Sequence, residues 1–540
     1  MSRLGALLRQ RLRRDWVQLV LWIGGTALLA LMATTAVNDA YGDEAEREGV
    51  LRLAMSAPAI LIFRGTPNGA GEGEFSFFLI FAFLALLAGL MSTFLAVRHS
   101  RGDEEQGRAE LIAATPAGRV LPTVATLVHG VLANIVLGLV VAVAFIGSGL
   151  DPAGSLVAGA AAAATGVVFL AFGLVAAQLF RTSRAANGIS VAVVLGAYVV
   201  RGIGDAAGTP SADGVHLTPL WVSWLSPIGW AQRTGAFAQN DLAPLLLSLG
   251  IAAALVALVF AFQSVRDSGA SVLPGLQGRA DAGWTLSGSF GLAWNLNVGA
   301  LVAWAIGGLA TGLLATSLTP LVDTIGSDAP EVADTLQGLA GADATLAQAL
   351  TATFFSIVGI LAAACALQVV IRARQEEAHG TAELVLATAL PRQRWLAEYG
   401  VLGALAIALV IAVSALGAVV GAQAADDPAA TIGDALSAAA AQFPAALVYL
   451  AIGLLLFVLL PRVAMAASWT LLGLGAFLGV FGELIGLPDW TRDLSPFAHS
   501  PVPVGSDVDW SGGIWMLAIA VVGAGAAIVA MGRRELATGG

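Results

Sequence analysis

The chain contains no lysine: all 26 basic side chains in its 540 residues are arginine. That absence excludes a chemistry. A P-loop nucleotide site needs the lysine of its glycine-rich loop to hold the nucleotide phosphates, so this chain does not hydrolyse ATP by that route. Cysteine is almost as scarce. Cys365 is the single thiol, which rules out an internal disulfide or a Cys-based metal centre, and its apolar surroundings mark it as a small packing residue. Charged residues make up only 11% of the chain. His99, His129, His216, His379 and His499 are scattered, so no catalytic or metal constellation is expected.

Apolar residues fill the space. The chain is 58% hydrophobic with a mean hydropathy of +0.84. Crossing a bilayer takes about 20 mostly apolar residues whose backbone pairs internally. The runs here are long, rich in Ala, Leu, Val and Gly, and do not alternate as barrel strands would. The expected fold is therefore an all-α integral membrane protein. Six spans are expected in a first half, near 16–37, 75–97, 121–147, 155–180, 187–203 and 242–262. Six more are expected near 298–317, 350–371, 399–421, 436–460, 464–482 and 513–531. The halves are residues 1–265 and 298–540, joined by a polar Gly/Ser-rich linker at 266–297 with Arg266, Asp267, Pro274, Arg279 and Asp281. The run from Trp16 to Val37 exceeds a signal-peptide core and has a counterpart near 298–317, so it is read as a retained helix.

Arginine placement sets the orientation. With both termini cytoplasmic, the inner segments hold 20 of the 26 arginines, and 24 of the 36 acids lie outside. The net charge of −10 is thus mostly an outward-facing property and gives no sign of nucleic-acid binding. One departure stands out: Asn295 and Asn297 precede the seventh span where the first half has arginines.

Four markers recur in the same order in both halves, which reads as an internal duplication of parallel repeats. Ile23-Gly24-Gly25 matches Ile306-Gly307-Gly308. Asp151-Pro152 matches Asp427-Pro428. Trp221-x3-Leu225-Ser226-Pro227 matches Trp490-x3-Leu494-Ser495-Pro496. The fourth is a charged inner element. Glu104-Glu105-Gln106-Gly107-Arg108-Ala109-Glu110-Leu111, followed by Ala114-Thr115 and Pro116, matches Glu376-Glu377-Ala378-His379-Gly380-Thr381-Ala382-Glu383-Leu384, followed by Ala387-Thr388 and Pro391. Each element has a short helix-compatible stretch with an apolar side, and Glu104 and Arg108 stand at a helix-supporting i,i+4 spacing. Such an element can rest on the membrane surface and present charge to a cytosolic partner. A solvated loop whose arginines only set topology is the plainer alternative.

On these motifs and their order, essentially the whole chain resembles the fused permease subunit of ABC-2 type exporters, nearest the tetronasin-type polyketide-antibiotic group. The resemblance implies a multi-pass cell-membrane permease without its own ATPase. Two copies of a separate cytosolic ATP-binding subunit would dock beneath it and bind ATP and Mg; the chain itself would hold no cofactor. Coupling elements would comprise Glu104, Glu105, Gly107, Arg108 and Glu110, then Glu376, Glu377, Gly380 and Glu383. His379 is an extra residue in the second element, where Thr381 replaces the arginine, so the two docking sites would be unequal. Re-entrant helices would occupy the outer segments near 204–241 and 483–512.

Besides lipid, the expected partner is a hydrophobic, drug- or antibiotic-like cargo, which calls for an aromatic-lined apolar cavity. Phe77, Phe78, Phe81, Tyr198, Phe354, Phe355, Trp469 and Phe477 are the candidates. Trp221, Trp224, Trp230 and Trp490 fit the outer interface. His129, Asn134, Gln178 and Gln368 fit interhelical hydrogen bonds. The competing class is a proton-coupled efflux carrier of major-facilitator type, suggested faintly by Arg101-Gly102-Asp103 and Gly107-Arg108. It is opposed by the long outer segments and by the lack of a convincing membrane-embedded carboxylate.

Overall fold

A computed structural model describes residues 3–56, 58–113, 118–265, 270–273, 281, 283, 286–317, 345–425, 427–481, 489–504 and 507–536. Ala114, Thr115, Pro116, Arg266, Asp267, Pro274 and Arg279 lie outside these residues. The protein is an all-α integral membrane protein. Among the described residues eleven helices are long and apolar enough to cross a membrane, and a twelfth apolar helix, Ala464–Gly479, is shorter. The chain forms two compact units, Met1–Gln277 and Gly278–Gly540.

In the first unit the long helices are α1 (Arg3–Ala40), α4 (Glu72–Arg98), α7 (Leu121–Gly147), α8 (Pro152–Leu179), α9 (Ser183–Ala206) and α11 (Ala243–Val265). Between them lie α2 (Glu44–Ser56), α3 (Pro58–Arg64), α5 (Arg101–Glu105), α6 (Arg108–Ala113) and α10 (Pro227–Gln232). A two-stranded ribbon pairs β1 (Thr209–Pro210) with β2 (Leu217–Thr218). Helix α8 is the hub and packs against α4, α7, α9 and α11. Its Ala/Gly-rich sequence permits this, because small side chains let helix backbones approach closely in lipid.

The second unit contains α12 (Ser289–Ser317), α13 (Leu346–Ala378), α14 (Thr381–Leu386), α15 (Arg392–Gly421), α16 (Pro428–Ala441), α17 (Phe443–Leu459), α18 (Ala464–Ala476), α19 (Asp489–Arg492) and α20 (Ser511–Met531), with a ribbon of β3 (Val502–Val504) and β4 (Asp507–Asp509). Its tightest pair is α12 against α15. A Cβ on Gly312 would stand 1.8 Å from the Ser414 carbonyl oxygen, and one on Gly421 would stand 2.4 Å from that of Leu313. Only glycine allows this approach.

Several repeated dipeptides prove to be helix starts. Asp151 accepts the Gly154 N–H at 2.9 Å to cap α8, and Asp427 accepts that of Ala430 at 3.1 Å to cap α16. Ser226 accepts the Ile228 N–H and Ser495 that of Phe497, both at 3.2 Å. In all four, proline follows the cap, where a missing N–H costs nothing.

Helices outrun the apolar windows at their charged ends: α1 starts at Arg3, α13 runs to Ala378 and α15 starts at Arg392. Arginine and glutamate are good helix formers, so polarity alone does not end a helix. The expected span 436–460 divides at Gln442, where Pro444 near the start of α17 interrupts the hydrogen-bond ladder. The expected span 464–482 is the short α18, continued by a π-turn over Phe477–Phe481.

On the opposite side of the first unit, Arg201 and Asp205 form a fully buried ion pair at 3.0 Å. Arg201 also donates to the Ile62 carbonyl at 2.8 Å, and Tyr198 donates to that of Phe63 at 2.5 Å, closing the open carbonyls of α3. Trp230 departs from the interfacial expectation. It is buried, with its indole N–H on the Trp224 carbonyl at 2.5 Å, whereas Trp221, Trp224 and Trp490 are exposed.

Candidate coupling elements and the buried polar cluster behind them

Both charged elements have one local design. A helix runs past the arginines into the acids, a glycine ends it, and a short helix follows. Gly107 (φ 69°) separates α5 from α6, and Gly380 (φ 75°) separates α13 from α14. Left-handed backbone is cheap only for glycine, which explains why that residue recurs.

The acids behave differently from one another. Glu104 is held by Arg101 at 2.6 Å, and Arg101 is itself buried, donating to the carbonyls of Ala177 and Ala270 at 3.0 and 2.9 Å. Glu105 is exposed and accepts from the Ser183 N–H at 2.8 Å and from its hydroxyl, thereby serving the N-terminus of α9. In the second unit Glu376 takes Arg372 at 2.7 Å and the Thr381 hydroxyl at 2.6 Å. Glu377 is buried and receives Arg534 at 2.7 and 2.9 Å, with Arg374 at 3.6 Å. Arg108 donates to Asp103 at 2.8 Å. Glu110 and Leu111, like Glu383 and Leu384, are exposed, with the leucines at 73% and 77%. The elements thus present the same acid–leucine pair and anchor the acids upstream of it.

Behind the first element lies a cluster that the sequence reading passed over. His99 at the end of α4 and His129 on α7 both turn Nε2 to one oxygen of Asp15 on α1, His129 at 3.1 Å. All three side chains are buried. Arg98 Nε stands 3.1 Å from the other Asp15 oxygen, and His99 Nδ1 is 3.7 Å from Asp103. Arg14 completes the set on Asp103 at 2.9 Å. The expectation of scattered histidines is corrected for this pair: antiparallel packing of α4 and α7 brings them together. The donor atoms of Asp15, His99 and His129 lie within 4.8 Å of one another, close enough to converge on a metal ion. Arg98 already neutralises the carboxylate, so the same geometry also serves as a hydrogen-bonded clasp of three helices.

The aromatic candidates for a cargo cavity divide. Phe77, Phe78, Phe81 and Phe355 are packed inside their units, Tyr198 is buried on Phe63, Phe354 is half-buried, and Trp469 and Phe477 are exposed. A largely apolar groove of about 750 Å³ runs instead between α1 and α7, lined by Leu12, Trp16, Val20, Leu132 and Val136, with His129 at its edge. Asn134 joins α7 to α4 through Ser92 at 2.8 Å, and Trp304 of α12 donates to Gln368 of α13 at 2.5 Å.

These features define a polytopic helical protein of the cell membrane. Residues 286–531 match the family described as multidrug efflux system permease Rv1217c, C-terminal domain. Over 517 residues, covering 95% of this chain and 91% of the relative, the sequence is 35% identical to the multidrug efflux system permease protein Rv1217c of Mycobacterium tuberculosis. The chain belongs to this family of multidrug efflux permeases.

Proposed function

We propose that this chain is the fused transmembrane subunit of an ATP-driven ABC-2 type exporter of the tetronasin-type group. It moves hydrophobic or amphipathic drug-like molecules out of the cell. Two copies of a separate cytosolic ATP-binding subunit, which bind ATP and Mg, dock on it. The observation that carries the reading is the doubled presentation of Glu110-Leu111 and Glu383-Leu384 on short helices braced against the ends of long ones. Closure of the ATP-binding subunits would push these helices, and the anchored acids behind them would pass the motion to α4 and α13. An exposed leucine flanked by a glutamate suits a docking pocket with an apolar centre and a basic rim.

The test is co-purification from membranes. The parent chain should retain ATP-binding subunits, one per element. Leu111→Asp and Leu384→Asp should each release about half of them, and the double variant nearly all. A double variant that retains the subunits and still exports drug would overturn the docking assignment. Reconstituted alone in liposomes the chain should concentrate nothing. Uphill transport driven by a proton gradient alone would establish a secondary carrier.

A further inference from the structure

The end of the first unit contains a cavity that borders the proposed docking element through Arg108 and Leu111. It measures about 500 Å³ and lies between the start of α1, the α5–α6 element and the start of α7. Arg3, Arg11, Arg14 and Arg108 line it against a single carboxylate, Asp103. Asp103 is engaged by both Arg14 and Arg108. The cavity is therefore strongly cationic.

Its arginines are incompletely satisfied. Arg11 is only 5% exposed; its Nη2 donates to the Pro122 carbonyl at 3.1 Å, while Nη1 is buried with no acceptor. Arg108 is placed similarly, with Nε on Asp103, Nη1 on Gln106 and Nη2 buried without an acceptor. Two guanidinium nitrogens thus lack acceptors around one cavity. A buried, unpaired charged donor is costly, and a bound anion would remove that cost. Leu7, Ile112 and Leu121 add apolar surface to the lining, Leu7 between Arg3 and Arg11 on α1 and Ile112 one turn on from Arg108. The cavity sits where the apolar spans of α1 and α7 give way to arginine-rich ends.

We infer that this cavity binds one anionic phospholipid. Its phosphodiester would accept from Arg11 and Arg108, and its first methylenes would lie on Leu7, Ile112 and Leu121. A cation is disfavoured by the excess of arginine. A free phosphate would leave the apolar part of the lining uncovered. Basic pockets between membrane helices are suited to such headgroups. A lipid seated there would brace α6 against α1 and α7, and the inference holds whichever partner docks outside.

The experiment uses the full chain in detergent, given equal phosphatidylglycerol and phosphatidylcholine and weighed by native mass spectrometry. One phosphatidylglycerol per chain should be retained in preference. Arg11→Gln and Arg108→Gln should each weaken that retention about tenfold, the loss of one charge-assisted hydrogen bond. Arg181→Gln, an equal charge loss outside the cavity, should leave it unchanged. Arg108 is partly exposed, so its variant tests the site even if Arg11→Gln misfolds. Equal retention of the two lipids would overturn the assignment. So would undiminished retention in Arg108→Gln, loss in Arg181→Gln, or displacement of the lipid by inorganic phosphate.

Discussion

The two units hold their charged ends together in opposite ways. In the first, Asp15 on α1 receives His99, His129 and Arg98, so the polar clasp fastens the unit's first helix to α4 and α7. In the second, Glu377 on α13 receives Arg534 just beyond α20, so the clasp fastens the last helix. Arg534 also donates to the Phe457 carbonyl at 3.0 Å and lies over the Phe457 ring, and Arg392 donates to the Arg534 carbonyl at 2.6 Å. Aligned on Ile23-Gly24-Gly25 and Ile306-Gly307-Gly308, Asp15 corresponds to Val298. Aligned on the acid pairs, His99 corresponds to Ile371. Gly130 receives Leu170 of α8 and Gly403 receives Leu450 of α17, and on that match His129 corresponds to Leu402. Where the first unit carries charge, the second carries apolar side chains, of which Ile371 and Leu402 are buried and Val298 is exposed. An inner end can be fastened through its first helix or its last, provided that no buried charge is left alone.

The largest expected effect comes from breaking the first clasp. Asp15→Leu removes the acceptor shared by two histidines and Arg98, and should destabilise the first unit by about 3–5 kcal/mol, read as a lowered unfolding temperature in detergent. Combining Asp15→Leu with His99→Ile and His129→Leu makes all three positions apolar, as the matching positions of the second unit are. The triple variant should recover most of that loss, because apolar replacement of a whole buried polar group is often neutral. If the triple variant is less stable than Asp15→Leu alone, the two ends are not interchangeable solutions. A metal role for the cluster would show instead as stabilisation of the parent, but not of the triple variant, by added zinc.

Next comes a pair of substitutions at one motif position. Glu377→Ala leaves Arg534 and Arg374 beside an empty buried site and should cost about 3 kcal/mol. Glu105→Ala, at the equivalent place in the first element, removes only an exposed contact to the start of α9 and should cost less than about 1 kcal/mol. Equal effects would mean that burial does not decide the role of these acids. The same pair bears on export. If Glu377 is an anchor and not a docking residue, conservative Glu377→Gln should impair folding before it impairs binding of an ATP-binding subunit.

Much of this architecture was legible in the sequence. Runs of Ala, Leu and Val mark the membrane helices, and Asp-Pro and Ser-Pro mark helix starts because cap and proline act locally. The asymmetry was hinted at by Asn295 and Asn297, which stand where the first half carries arginines. The clasp was not legible. His99 and His129 lie 30 residues apart on antiparallel helices, and Asp15 lies on a third, so only packing makes them neighbours. The available signal was Asp15 itself, an acid next to Trp16 at the mouth of an apolar run, since an acid at that depth needs a partner. The aromatic candidates show the converse limit. Phe81 and Phe355 have the composition of a cavity lining but are fully buried in packing. Composition cannot separate a wall from a core.

The smallest effect should be the same in both units. Gly107 and Gly380 have left-handed backbone, and a Cβ at either would meet nothing within 4 Å. Gly107→Ala and Gly380→Ala therefore carry only the backbone penalty, about 1 kcal/mol each. Gly→Asn should cost less at both sites, because asparagine tolerates this conformation. A markedly larger loss at one glycine would show that its short helix is pressed against something the other lacks, and would extend the asymmetry of the clasps to the elements themselves. Equal small losses, with drug export reduced alongside, would mean that the angle between the long helix and the short one is what the two units have in common.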